Sequence, residues 1–153
     1  MAQKPKKTTK KKPNKKPEPI VLSINICDSI IRDEVTKKVS LIGLFSTINT
    51  TNFPAVHQTM HVYVALTNGH GKYKTEIRFC DTKGQAIAGL EGELNFQSPL
   101  QTVELNLPWS GLRLEEAGAY FVEVLCDGKS ISSRKFQVIG PGRPNLTSGT
   151  EGV

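Results

Sequence analysis

Residues 116–128 read Glu-Ala-Gly-Ala-Tyr-Phe-Val-Glu-Val-Leu-Cys-Asp-Gly. Tyr120 is followed at every second position by an apolar residue: Val122, Val124 and Cys126. A two-residue period of this kind is typical of a β-strand with one buried face. The Asp-Gly pair at 127–128 is typical of a two-residue hairpin turn whose backbone needs positive φ angles. The stretch therefore predicts a strand that turns at 127–128 and pairs with a second strand over residues 129–139.

The beginning of this stretch resembles the tyrosine corner of immunoglobulin-like β-sandwiches. In that motif an acidic residue, a glycine and a tyrosine open the penultimate strand, and the tyrosine hydroxyl bonds to the backbone upstream. Glu116, Gly118 and Tyr120 stand at this spacing. Val122 occupies the place that is a disulfide cysteine in antibody domains, so the resemblance implies a sandwich that is held by aliphatic packing without that bridge.

Extended runs continue upstream to Ile20, and turn residues separate them. Their number and spacing favour an all-β sandwich or barrel, and no long helical pattern interrupts them. We predict a single immunoglobulin-like β-sandwich of about seven to eight strands, with Pro108 and Trp109 in a loop between strands. The predicted strands cover residues 20–26, 39–49, 60–67, 72–81, 85–96, 101–107, 120–126 and 129–139.

Both ends of the chain differ in composition from the segment between them. Residues 1–19 contain eight lysines and four prolines, with hardly any apolar side chain to offset the entropy of ordering the backbone. Residues 140–153 are rich in glycine and proline. We therefore predict a disordered Lys/Pro-rich tail over 1–19, a sandwich over 20–139 and a second disordered tail over 140–153.

Several motifs inside the predicted sandwich together resemble a bacterial family of small immunoglobulin-like domains that has no assigned function. The resemblance implies the same fold and a bacterial origin. It transfers no site residue, because none of the motifs has a known chemical role. The motifs are Cys27-Asp28, Asp33-Glu-Val-Thr-Lys37, Val39-Ser-Leu-Ile-Gly-Leu-Phe45, Phe53-Pro54 and Gly118-Ala-Tyr120 through Asp127-Gly128.

The positive charge of the chain lies in the first tail. Eight lysines precede residue 20 with Glu18 as their one acidic neighbour, whereas the rest holds 12 basic and 13 acidic residues. Lysines without arginine or aromatic residues supply charge but no base readout, so any binding of nucleic acid by the tail should be independent of sequence. Three interpretations stay open: a solubilising arm, attachment to a polyanion such as RNA, DNA or anionic lipid, and a receptor-read address. The candidate polyanion-binding residues are Lys4, Lys6, Lys7, Lys10, Lys11, Lys12, Lys15 and Lys16.

The cysteines indicate a reducing compartment. Cys27, Cys80 and Cys126 are odd in number, far apart and without a Cys-x-x-Cys pair, so we expect three structural thiols. No apolar run approaches the roughly 18 residues that a membrane span needs, and no signal-peptide pattern follows the lysines. We therefore expect a cytoplasmic protein.

The residue types that act in catalysis, phosphate binding or metal binding in other proteins form no recognised motif in this sequence. His57 and His61 would stand about 13 Å apart along one strand, too far for one zinc ion, and His70 lies in a turn. No Gly-x-Ser-x-Gly elbow or phosphate loop occurs. We expect no enzyme, no cofactor and no metal.

Two functions remain open. In the first, the sandwich binds another protein through an open sheet edge while the lysine tail holds it near nucleic acid or another polyanion. In the second, Trp109, Tyr63 and Tyr73 form a platform for a small ligand or a carbohydrate. A buried Trp109 together with an exposed sheet edge would favour the first function, and a surface cluster of aromatic rings around Trp109 would favour the second.

Overall fold

The computed structural model describes residues 2–5 and 15–141. This part of the chain contains nine strands and no helix. The strands form a four-stranded sheet in the order β2-β1-β4-β7 and a five-stranded sheet in the order β3-β9-β8-β5-β6. Their bounds are β1 Ile20–Arg32, β2 Val39–Leu44, β3 Thr47–Asn49, β4 Ala55–Thr67, β5 Gly71–Cys80, β6 Ala86–Phe96, β7 Val103–Leu114, β8 Gly118–Cys126 and β9 Lys129–Ile139.

The all-β prediction is confirmed, but seven to eight strands were too few. The run predicted as one strand over 39–49 is divided into β2 and β3, which belong to different sheets. Phe45 donates its backbone N–H to the carbonyl of Ile26 on β1 (3.0 Å), and the carbonyl of Ser46 accepts from Gln137 on β9 (2.8 Å). The chain therefore crosses from one sheet to the other between these two residues, and periodicity alone does not mark such a crossing.

The prediction of a loop around Pro108 and Trp109 is wrong. These residues lie inside β7 and pair with His61 and Met60 of β4. Proline is tolerated here because β7 is an edge strand, whose outer side needs no hydrogen-bond donor. The strand predicted to end at Leu107 therefore continues to Leu114.

The two sheets face each other across one apolar core. Side chains from β1, β4 and β7 of the four-stranded sheet meet side chains from β5, β8 and β9 of the five-stranded sheet. Burial of this surface is the main force that favours the folded chain. The largest fully buried side chains are Tyr120, Phe79, Phe96, Phe136, Ile26, Met60, Leu66, Leu112, Leu114, Val62, Val64 and Val122.

The two local predictions for β8 are confirmed. The hydroxyl of Tyr120 donates to the backbone carbonyl of Glu116 (2.8 Å) and accepts from the N–H of the same residue (3.3 Å). Asp127 and Gly128 have φ angles of 50° and 80°, as the two-residue turn requires. The corner and the turn fix β8 at both ends, between β5 and β9.

Candidate functional site

Three of the eight candidate lysines fall within the described residues. Lys4 is exposed in the short segment 2–5, and Lys15 and Lys16 precede β1. The remaining candidates, Lys6, Lys7, Lys10, Lys11 and Lys12, lie outside the described residues, as does most of the predicted C-terminal tail.

Residues 15–19, here called the N-terminal strap, lie against the end of the five-stranded sheet. The hydroxyl of Tyr73 donates to the carbonyl of Pro17 (2.6 Å), and the ammonium of Lys16 stands 3.7 Å from the centre of the Tyr73 ring. The same ammonium is 3.3 Å from Oδ2 of Asp127. Pro19 is buried. The strap belongs to the segment 1–19 that was predicted as a tail, and it contacts the sheet through Tyr73 and Asp127.

An open cavity of about 490 Å³ lies between the strap and the β8–β9 turn. Four of its charged side chains form two pairs, Lys16 with Asp127 (3.3 Å) and Lys129 with Glu18 (2.6 Å). Lys15 also lines the cavity, so the lining keeps one net positive charge. The cavity reflects how the strap attaches to the sheet.

The three aromatic residues of the ligand-binding alternative are not brought together. Tyr63 lies on the outer face of β4, between the buried Val62 and Val64, and its hydroxyl bonds to the Glu104 carboxylate. Tyr73 is buried in the five-stranded sheet beneath the strap. Trp109 points into the space between the sheets, where its ring centre is 4.9 Å from that of Phe79.

The cysteines are buried free thiols. Burial raises the pKa of Cys27, Cys80 and Cys126, and the neighbouring Glu123 carboxylate raises that of Cys80 further. A raised pKa keeps a thiol protonated at neutral pH, which is the opposite of what a nucleophilic cysteine needs.

The histidines stand apart in the described ranges. Nδ1 of His61 is 3.1 Å from the carbonyl of Asp28, and the ring of His57 lies 5.6 Å from that of Phe45 with its Nε2 buried and without a hydrogen-bond partner. Within residues 2–5 and 15–141, no three His, Cys, Asp or Glu side chains are placed to hold one metal ion.

The free edge of β6 is the feature that the sequence did not reveal. β6 pairs with β5 from Gly71↔Phe96 to Cys80↔Ala86, and among the described residues no strand pairs with its other side. The unpaired N–H and C=O groups of an edge strand form a template for another extended chain. The signal available in the sequence was the pair Gly89 and Gly92, because glycine inside a strand often marks the close approach of another backbone.

The other three edges are less open to a partner. β3 has only three residues and β2 six. β7 is long, but it contains Pro108, which lacks an N–H donor, and Gly111, whose φ of 71° departs from extended backbone. Proline, distorted backbone and shortness all protect edges from pairing. β6 has eleven residues and contains no proline, lysine or arginine.

An apolar groove runs beside the free edge, where β6 and β7 diverge. We call it the seam groove, and its volume is about 210 Å³. This is below the roughly 300–1,000 Å³ of typical small-molecule sites. It is lined by Thr75, Ile77, Leu90, Glu91, Gly92, Glu93, Leu94, Leu105 and Leu107.

Gly92 creates much of the space in the seam groove. It lies opposite the buried Thr75 and faces inward, and a Cβ atom built on it would meet nothing within 4 Å. The neighbouring inward residue Leu90 keeps 43% of its surface exposed. An open edge and an uncovered apolar row therefore occur side by side on one strand.

No helix that could span a bilayer occurs in the part of the chain that the structure describes.

The described residues form an all-β protein of two facing sheets, in which β6 is a free edge without proline. Residues 22–139 match the model of a protein family of unknown function, DUF6941. The chain belongs to this family.

Solved structures give a more distant likeness. One is Pseudomonas fluorescens alkylpurine DNA glycosylase AlkC bound to DNA containing an abasic site analogue: it is 12% identical, its TM-score is 0.40, and the match covers 75% of this chain and 30% of that one. Another is a β-glucosidase from Listeria innocua, also 12% identical, with a TM-score of 0.41 and coverage of 81% and 16%. This chain thus spans less than a third of either protein. Among curated proteins no match was found.

Proposed function

We propose that the protein is a non-catalytic binding module that takes up an extended segment of another protein at the free edge of β6. The supporting observation is the combination of this edge with the seam groove. Main-chain hydrogen bonds along an edge supply affinity, and pockets for alternate side chains supply specificity. The inward position of Trp109 also favours this function over the aromatic platform, whose three rings lie apart.

The finer description of the fold is part of this proposal. The hydroxyl bond of Tyr120 and the crossing of the chain between sheets at Phe45 and Ser46 support an immunoglobulin-like sandwich. Three buried free thiols agree with a cytoplasmic location, where thiols stay reduced. The N-terminal lysines would hold the module near RNA, DNA or another polyanion.

The test is capture from native cell lysate with the full chain as bait, with and without nuclease. Leu90→Lys places a charge at the seam groove, and Leu100→Lys makes the same change at a 94% exposed site in the loop after β6, outside the lining of the groove. We expect a nuclease-resistant partner that Leu90→Lys loses and Leu100→Lys keeps. Equal capture by both variants, or no capture by the unaltered chain, would overturn the proposal.

A further inference from the structure

The side chains of β6 divide into two rows that face different surroundings. Ala88, Leu90, Gly92 and Leu94 lie opposite the buried residues of β5 and face inward, over the seam groove. Glu91 and Glu93 face outward, opposite Glu76 and Lys74. These two carboxylates are the only ionisable side chains of the strand.

An added strand would continue both rows. Its inward side chains would enter the seam groove and contact Leu105 and Leu107 of β7, so apolar residues of moderate size are favoured there. Its outward side chains would lie beside Glu91 and Glu93, because directly opposed residues on one face of a sheet are neighbours. Basic residues are favoured in that row, and acidic residues are disfavoured by like charge.

Glu91 and Glu93 are free to make such contacts. Each lies near a lysine of β5, with 3.2 Å between Lys72 Nζ and Glu93 Oε1 and 3.7 Å between Lys74 Nζ and Glu91 Oε2. All four side chains are more than half exposed, and exposed ion pairs are weak. The carboxylates can therefore be shared with a basic side chain on the open side.

The same row disfavours one register in which a second copy of the chain could pair with β6. If two β6 edges paired antiparallel about an axis at Gly92, Glu91 of one copy would stand opposite Glu93 of the other. Like charges directly opposite each other destabilise a sheet. Residues 1–19 of this chain are basic, but they supply no apolar row for the seam groove.

We propose that the partner segment is an extended stretch of another protein in which apolar and basic residues alternate. It adds to β6, fills the seam groove with its apolar row and pairs its basic row with Glu91 and Glu93. This assignment of the partner's chemistry rests on the proposed function of the β6 edge.

The test measures the binding of labelled peptides to the full chain by fluorescence anisotropy. Three peptides have the length of β6, eleven residues, and alternate valine with lysine, valine with glutamate, or serine with lysine. We expect the valine–lysine peptide to bind roughly tenfold more tightly than the other two, from the sum of favourable pairs gained and unfavourable pairs avoided.

Charge reversal on the protein gives the decisive comparison. In the double variant Glu91→Lys with Glu93→Lys, preference should shift to the valine–glutamate peptide. Glu34→Lys with Glu115→Lys makes the same change of net charge but leaves Glu91 and Glu93 intact, and it should leave the preference as it was. Gly92→Val adds a side chain at the seam groove, where an added Cβ meets nothing within 4 Å, and it should weaken binding of the valine–lysine peptide. An unchanged circular dichroism spectrum shows that the fold persists.

The outcomes separate the two proposals. If Leu90→Lys abolishes capture of a cellular partner but the peptides show no preference for lysine, the β6 edge is a binding site and the assigned chemistry is wrong. If the serine–lysine peptide binds as tightly as the valine–lysine peptide, binding is general attraction of cations and the assignment is overturned. If neither capture nor peptide binding depends on β6, both proposals fail.

Discussion

Tyr120 shows how far a single residue can be predicted from its sequence neighbours. The partner of its hydroxyl is the backbone of Glu116, only four residues upstream, so the spacing of the motif already contains the contact. Trp109 shows the opposite case. Its ring contacts Phe79, thirty residues away on the other sheet, and no local pattern specifies that distance.

The hydroxyl of Tyr120 should contribute measurably to stability. Tyr120→Phe keeps the buried ring but leaves the N–H and C=O groups of Glu116 without this partner, so the free energy of unfolding should fall by about 1–3 kcal/mol. Urea denaturation measures it. Tyr63→Phe is the control, because its hydroxyl lies on the outer face and the freed Glu104 carboxylate can turn to water. A loss at Tyr63 as large as that at Tyr120 would contradict the role of the corner.

The phenol of Tyr63 should titrate at unusually high pH. Burial, followed by the hydrogen bond to Glu104 and the charge of that carboxylate, raises its pKa from 10 to about 12. The folded state then holds this proton more tightly than the unfolded state. The resulting stability is present below pH 10 and is lost as the pH rises towards about 12.

Glu104→Gln checks this prediction. Removing the carboxylate should lower the pKa of Tyr63 only partly, since burial is the largest cause and remains. Ultraviolet absorbance of the phenolate, recorded against pH for both proteins, measures the difference. A variant that titrates at or above the pH of the unaltered protein would contradict the assignment.

At the scale of elements, strands were predictable and their neighbours were not. The alternation along Tyr73, Ile77 and Phe79 marks β5 as half-buried, and β5 indeed has one inward row. The alternation of side chains in β6 does not distinguish a strand with two neighbours from a strand with one, and its two glycines, Gly89 and Gly92, are only an indirect signal. Edge position depends on pairing between distant segments, such as β5 with β8, so the free edge of β6 appears only once the sheets are assembled.

Gly92 should tolerate a side chain, since its position is open. Its φ is outside the left-handed region, and an added Cβ meets nothing within 4 Å. Gly92→Ala should therefore raise the free energy of unfolding by about 0.4–1 kcal/mol, because alanine restricts the unfolded chain. Thermal or urea unfolding measures the effect.

Gly69, which lies between β4 and β5, provides the contrast. A Cβ there would lie 2.3 Å from the ring of the buried Phe96, so Gly69→Ala should destabilise the protein. Loss of stability at Gly92 as large as at Gly69 would show that the seam groove is not open space.

At the scale of the whole molecule, the net positive charge and the two sheets belong to different parts of the chain. Residues 20–153 hold 12 basic and 13 acidic residues, so attraction to a polyanion has to come from the N-terminal lysines. The sequence alone predicts where the charge lies, because counting the basic and acidic residues is enough. The sequence does not predict that Lys16 contacts Tyr73 and Asp127, because these contacts join residues more than fifty positions apart.

Binding to nucleic acid should depend strongly on salt and on residues 2–14. If five to seven lysines reach phosphates, log affinity for duplex DNA should fall with log salt at a slope of roughly −4 to −6. Fluorescence anisotropy of labelled DNA at several salt concentrations measures the slope. Deleting residues 2–14 should abolish binding, and that variant keeps the strap intact.

Lys16→Ala is the matched control for this measurement. Since the Lys16 ammonium already contacts Asp127, its loss should leave the slope nearly unchanged. Binding that survives the deletion would place a nucleic-acid site on the sheets themselves, and no binding by the full chain at low salt would leave the lysines as a solubilising arm.

The position of Trp109 has a consequence for following the protein as it folds. It is the chain's single tryptophan, it belongs to the four-stranded sheet, and its ring lies against Phe79 of the five-stranded sheet. A fold of two sheets with distant strand pairing is expected to form over milliseconds to seconds. During refolding, tryptophan fluorescence will therefore time the docking of one sheet onto the other, while circular dichroism follows the formation of the strands.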